Sequence, residues 1–194
     1  MKAVFAALVA LVFLTSASPE HRQGIAGAPP EPHTLARLIE CPIDAHTMLV
    51  GSGSYIGPNV LLTAAHVAAG HECYVDGEPT KLIYVNTKQD IAVLQTESRV
   101  PRWLPLDCGK PRKGRIVSVY GYPRGERLEL RVFLATGKFV PEGEFAGMAI
   151  FGGAATAGQS GSAILYNGRV IGVLDAGSQS EMLGRLIRGT YLCK

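Results

Sequence analysis

The chain has 194 residues, of which 47% are hydrophobic and 18% charged, and its formal net charge is +3. This is enough apolar material for one compact domain or a pair of small β-units, and it excludes a disordered chain. So mild a charge does not point to nucleic acid, and no nucleic-acid partner is expected; the basic residues Arg99, Arg102, Lys110, Arg112, Lys113 and Arg115 read as a solvated linker.

The chain opens with Lys2 and an apolar run over residues 3–14, followed by the small residues Thr15-Ser16-Ala17-Ser18. That is the pattern of a secretory signal cleaved after Ala17, and a run of about a dozen residues falls short of the roughly 20 that a spanning helix needs. The expectation is a secreted or periplasmic protein with no stable membrane anchor once residues 1–17 are removed. Export places Cys41, Cys73, Cys108 and Cys193 in an oxidising compartment, where an even number favours two disulfides. Three pairings are open. Residues 18–46 begin with a Pro- and Gly-rich stretch and read as an extended lead-in.

From residue 47, strand-length apolar runs at 48–50, 60–62, 82–85 and 91–94 alternate with Gly, Pro and Asn punctuation. One short helical turn is expected over 64–69, with Thr63 placed to cap it. Residues 101–114 carry Pro101, Pro105 and Pro111 and mark a linker between two β-units, 47–100 and 115–194. The second unit has strand signals at 116–120, 130–135, 145–151, 163–166, 170–174 and 186–191. Short strands at this spacing indicate a barrel or sandwich architecture.

Three segments carry chemistry: Leu62-Thr63-Ala64-Ala65-His66, Gln89-Asp90-Ile91-Ala92-Val93-Leu94 and Gly158-Gln159-Ser160-Gly161-Ser162. A serine hydroxyl is a poor nucleophile at neutral pH; it needs a histidine to take its proton and a carboxylate to hold the imidazole. Singly, each residue has a plain reading: a structural histidine, an aspartate that starts a strand, a Ser-Gly loop. Together, in the order His, Asp, Ser and at separations of 24 (90 − 66) and 70 (160 − 90), they are specific. His71-Glu72 begins like a zinc-binding His-Glu-x-x-His helix, but Val75 stands where the second histidine belongs. A metal shared by His66, His71 and Cys73 is less economical than a triad histidine and a disulfide cysteine, so no metal or cofactor is expected.

With these segments, and with Gly51-Ser52-Gly53-Ser54-Tyr55-Ile56-Gly57 leading toward the histidine, the sequence resembles the chymotrypsin-like serine peptidases. The likeness is greatest to their bacterial-type branch, which includes HtrA-like and glutamyl-endopeptidase-like enzymes, and runs from about Met48 to Leu186. It implies an all-β fold of two six-stranded antiparallel β-barrels with the active site in the cleft between them. It implies His66 as base, Asp90 as orienter, Ser160 as nucleophile, and the amides of Gly158 and Ser160 as an oxyanion hole. By family position Ala154 lies at the base of the primary pocket, and Leu174, Asp175, Ala176 and Gly177 form its wall and the edge on which substrate pairs.

Neither stretch supplies the acid that recognises Lys or Arg, and Leu174 stands where glutamyl-specific members carry histidine. A small or medium apolar residue on the acyl side of the cut bond is therefore expected. Gln159 replaces the aspartate that pairs with a new amino terminus in digestive members, and the activation-like stretch Arg22-Gln23-Gly24-Ile25-Ala26-Gly27 is weak, so a pre-formed site is expected. Asp175 stands where the family usually has Ser or Thr. Either it adjoins Asp90, raising the pKa of one of the pair by like-charge repulsion, or the loop is shifted by a residue and Asp175 faces solvent. The expected function is a monomeric, secreted serine endopeptidase acting on proteins or peptides through an acyl-enzyme. The alternatives are an inactive peptidase-like binding protein and an esterase using the same triad.

Overall fold

A computed structural model describes residues 31–193. The signal expected over residues 1–17, the stretch at Arg22 and the first part of the lead-in lie outside the described residues.

The first unit contains β1 (Ala36–Pro42), β2 (Met48–Gly57), β3 (Val60–Thr63), a single helical turn α1 (Ala65–Ala68), β4 (Tyr74–Val75), β5 (Glu78–Pro79), β6 (Lys81–Asn86) and β7 (Ile91–Gln95). The lead-in expected over 18–46 is corrected by β1, which pairs along its whole length with β2, from Ala36 opposite Ser54 to Pro42 opposite Met48. Ala36, Ile39 and Cys41 are buried while the residues between them are partly exposed, and that inward set belongs to the core.

The strand order is β5-β4-β1-β2-β3-β7-β6, seven strands where six were expected. The extra strand comes from a break. β5 and β6 are separated only by Thr80, whose amide and hydroxyl both donate to the Cys73 carbonyl, at 2.9 and 2.8 Å. Pro79, without an N–H, interrupts the ladder there. One stretch of chain thus pairs with β4 before the bend and with β7 after it, and the sheet curls round to meet itself through the covalent chain.

The second unit contains β8 (Ile116–Gly121), β9 (Glu129–Phe139), β10 (Ala149–Gly152), β11 (Ala163–Tyr166), β12 (Arg169–Gly177) and β13 (Glu181–Leu186). These close into a barrel in the order β10-β13-β12-β11-β8-β9. Two expected strands move. Residues 143–148 form turns, with Ala146 bonded to the Gly143 carbonyl and Met148 to that of Phe145, so the strand expected over 145–151 starts at Ala149. The strand expected over 186–191 lies earlier, as β13, because Gly184 between the inward Met182 and Leu186 masks the apolar alternation.

Buried Leu61, Leu62, Ile91 and Val93 of the first unit share one apolar cluster with Ala163, Leu165, Val173 and Ile187 of the second. Phe133, Phe151, Ile164, Ile171, Leu174 and Met182 fill the closed barrel. The units therefore meet across an apolar seam, which fixes the cleft above it. Of the three possible pairings, the disulfides are Cys41–Cys73, which ties β1 to the approach to β4, and Cys108–Cys193, which ties the linker to the end of the chain.

Candidate active site

His66 sits on α1, in the first unit. The helix is too short to be stable alone and is held by contacts at both ends. Cys73, a few residues beyond it, is bonded to Cys41, and the His66 amide donates to Asp90 Oδ1 at 2.8 Å. Thr63 does not cap the turn; its hydroxyl donates instead to the Ser52 carbonyl at 2.8 Å.

Asp90 follows the turn between β6 and β7. Its backbone lies in the left-handed region at φ 46°, where aspartate is among the better-tolerated residues. Asn86 braces that turn: its Nδ2 donates to Gln89 Oε1 at 2.7 Å and its Oδ1 accepts from the Gln89 amide at 3.1 Å. So held, the second oxygen of Asp90 meets His66 Nδ1 at 2.7 Å, and the carboxylate grips both the backbone and the ring of the histidine.

Ser160 comes from the loop between β10 and β11. Gly158 and Gly161 flank it at φ 86° and 88°. A Cβ on Gly161 would run into the Ser52 carbonyl and the Thr63 hydroxyl, and one on Gly158 would lie 2.5 Å from the Tyr122 carbonyl. Only glycine fits either place. Gln159 is buried and folds back on its own loop, its Oε1 accepting from the Thr156 amide at 2.9 Å. The loop thus carries an internal brace where an external ion pair would otherwise be needed. Among the described residues, the amides of Gly158 and Ser160 donate to no protein acceptor.

Ser52, which its motif alone does not single out, ties the two units together. Fully buried on β2, its amide donates to the Ser160 carbonyl at 2.7 Å and its hydroxyl to the Gly158 carbonyl at 2.8 Å. The same hydroxyl accepts from the Tyr122 amide at 2.9 Å. The alternation of small residues over Gly51-Ser52-Gly53-Ser54 was the available signal, since small residues allow one backbone to lie against another.

The structure brings His66, Asp90 and Asp175 into one cluster, with nitrogen and oxygen atoms all within 4.8 Å of one another. Ser160 adjoins it, but its hydroxyl donates to the Asp175 carbonyl at 3.0 Å, and among the described residues it makes no hydrogen bond with His66.

Of the expected pocket residues, Ala154 is exposed, and Ala155 beside it abuts Gly177: a Cβ on Gly177 would strike the Ala155 methyl. Leu174 is corrected. Its side chain is 1% exposed and packs in the barrel core, because strand alternation turns it away from the cleft; only its backbone, bonded to Gly161 and Ser162, touches the nucleophile loop. The register of β12 against β13 shifts between Leu174 and Ala176, so Asp175 sits on a bulge and not, as its solvent-facing alternative had it, toward water. A groove of about 390 Å³ runs beside His66, Asp90 and Asp175, lined among others by Phe145, Met148, Ala176 and Arg185. Of these, Phe145 and Met148 were not recognised from sequence, because they were assigned to a strand.

The hydrogen bond to Asp90 raises the pKa of His66 above its ordinary value, against the opposing effect of burial. Burial works to raise Asp90, but the hydrogen bonds and charge of His66 outweigh it and hold that carboxyl below the usual range. For Asp175, burial and then the charge of Asp90 prevail over His66 and Arg185, and its pKa is pushed up to about 7. The cluster is therefore two carboxyls of opposite character beside one imidazole.

Two β-units, a cleft between them and this arrangement of side chains define the class as chymotrypsin-like serine peptidases. The trypsin-like peptidase domain matches residues 51–173, and the chain belongs to that family; it is a serine-type endopeptidase, a hydrolase of peptide substrates. Among solved structures it is similar to the active form of the Rv3671c protease from M. tuberculosis, at 21% identity and a TM-score of 0.62, over 94% of this chain and 89% of that one. It is also similar to the HtrA-type protease AlgW with a tripeptide, at 20% identity and a TM-score of 0.69, over 84% of this chain and 58% of that one. The serine endoprotease from Yersinia pestis matches at 15% identity and a TM-score of 0.65, over 80% of this chain and 59% of that one. At such identities the likeness speaks for the fold. Curated proteins give no significant match.

Proposed function

We propose that the chain cuts peptide bonds with Ser160 as nucleophile, His66 as general base and acid, and Asp90 as the group that orients the ring. The observation that carries this reading is the two-point grip of Asp90 on His66, which holds the Nδ1 proton and leaves Nε2 to the serine. The Ser160 hydroxyl leaves the Asp175 carbonyl and gives its proton to Nε2 as Oγ bonds to the substrate carbonyl carbon. The electron pair of the C=O moves onto its oxygen, which the amides of Gly158 and Ser160 receive. The C–N bond then breaks, and Nε2 returns its proton to the leaving amine. Water repeats the sequence and frees the acid. An oxyanion-hole donor is worth roughly 3 kcal/mol in a comparable enzyme.

The contact between Ala155 and Gly177 favours a narrow primary pocket and a small or medium apolar residue on the acyl side of the cut. The self-braced loop around Gln159 favours a site formed without an activating cut. Two disulfides favour an oxidising compartment, reached through the signal over residues 1–17, and no helix among the described residues is long and apolar enough to cross a membrane. The mature protein is then a monomer of two units with boundaries near 100 and 115, free of the membrane.

The test is turnover of a diverse peptide pool by purified mature protein beside Ser160→Ala, with fluorophosphonate labelling of the hydroxyl. Ser160→Ala is expected to lower kcat about 10⁵-fold and to abolish the label. Retained turnover in Ser160→Ala, or a pool profile dominated by Arg, Lys or Glu before the cut, would overturn the nucleophile or the pocket respectively. Ester turnover without peptide turnover would point to an esterase.

A further inference from the structure

We propose that Asp175 is a positioning residue, a carboxylic acid whose O–H donates to the Asp90 carboxylate and holds it against the His66 ring. This rests on the triad reading above and adds a fourth group to it. The Asp175 side chain is 8% exposed, and its Oδ2 has no protein donor. Its Oδ1 lies 4.0 Å from His66 Nδ1, and its carboxyl group comes within 4.8 Å of the Asp90 carboxylate. Two buried carboxylates at that range repel, and each oxygen without a donor is costly. One proton between them removes both penalties. It belongs on Asp175, because Asp90 already receives the His66 amide and ring N–H and is satisfied as an anion.

The surroundings agree. The groove that Asp175 lines is also lined by His66 from α1, Asp90 and Lys88 from the turn between β6 and β7, Glu144 from the turns before β10, and Arg185 from β13; of these, His66, Asp90 and Arg185 act on Asp175 through their charge. Arg185 donates from Nη1 to the Ala146 carbonyl, so it acts on Asp175 only through its charge. On balance these groups and burial keep Asp175 protonated up to about pH 7.

The proposal requires that the network weaken as Asp175 ionises. The experiment is a carboxyl-carbon NMR titration of the wild-type protein, joined to pH profiles of kcat and KM for wild type, Asp175→Asn and Asp175→Ala. The Asp175 carboxyl carbon should titrate near pH 7 while Asp90 stays ionised. Asp175→Asn keeps an N–H donor without a titrating group. It should lower kcat less than tenfold and lose the decline in activity that wild type shows above about pH 7. Asp175→Ala should lower kcat by about 10- to 100-fold with KM little changed. Titration of Asp175 near its ordinary value, or an alkaline decline that survives in Asp175→Asn, would overturn the proposal. So would a change in Asp175→Ala confined to KM. The NMR arm needs no turnover: a carboxyl that titrates near 7 in a protein without peptidase activity would sink the triad reading and leave the acid pair standing.

Discussion

The two β-units contribute to the site by different means. The first is a curled sheet with a strand broken at Thr80, and it presents His66 and Asp90 on its least regular parts, a four-residue helix and a left-handed turn. The second is a closed barrel that presents Ser160 on a loop with glycines on either side, braced from within by Gln159. In the first unit, position is enforced by cross-links between elements: Cys41–Cys73, Asn86 with Gln89, and Asp90 with the His66 amide. In the second it is enforced by steric exclusion, since nothing larger than hydrogen fits at Gly158 or Gly161. The lesson is that irregular segments hold a catalytic geometry when each is fastened to a regular neighbour. Ser52 fastens both units at once.

That contrast can be broken at several points. Removing the Cys108–Cys193 bond, which spans 85 residues, should destabilise the protein by about 4 kcal/mol. Removing Cys41–Cys73, which spans 32, should cost closer to 3 kcal/mol. Only the second change should loosen α1 and lower activity beyond the loss of folded protein, as denaturation and active-site titration on the same samples would show. A smaller effect is expected for Ser52→Ala, which strips a buried hydroxyl of one donated and one accepted hydrogen bond: about 2–3 kcal/mol of stability. Its kcat should fall with little change in the His66 pKa, because the loop moves and the His66–Asp90 pair does not; equal loss of both would deny the separation.

The smallest effect concerns pH. Asp175 binds its proton more tightly folded than unfolded, so its contribution to stability is present in acid and is lost as pH rises from about 4 toward 7. Over that window, urea midpoints should decline more in wild type than in Asp175→Asn. A flat difference would place the proton elsewhere.

Much of this was legible beforehand. His66, Asp90 and Ser160 stand in short motifs whose order and spacing few other folds share, and the apolar runs at 60–62, 91–94, 163–166 and 170–174 became strands because both of their faces meet the core. The misses have physical causes. β1 follows a Pro- and Gly-rich stretch that masked its inward set of Ala36, Ile39 and Cys41. Phe145 and Met148 are apolar without being strand residues, because they line a groove. Leu174 faces the barrel core and Asp175 sits on a one-residue bulge, so which of the two alternatives holds for Asp175 is something no periodicity reveals. Disulfide pairing and the clamp by Ser52 depend on contacts between distant parts of the chain, and local pattern carries no trace of them.

The Cys108–Cys193 bridge closes nearly the whole second unit into a covalent ring. If the enzyme nicks itself once anywhere inside that ring, the fragments stay joined, and a gel run without reductant displays a single intact band. Self-digestion will surface only when thiol is added, so samples judged whole under oxidising conditions can already be cut.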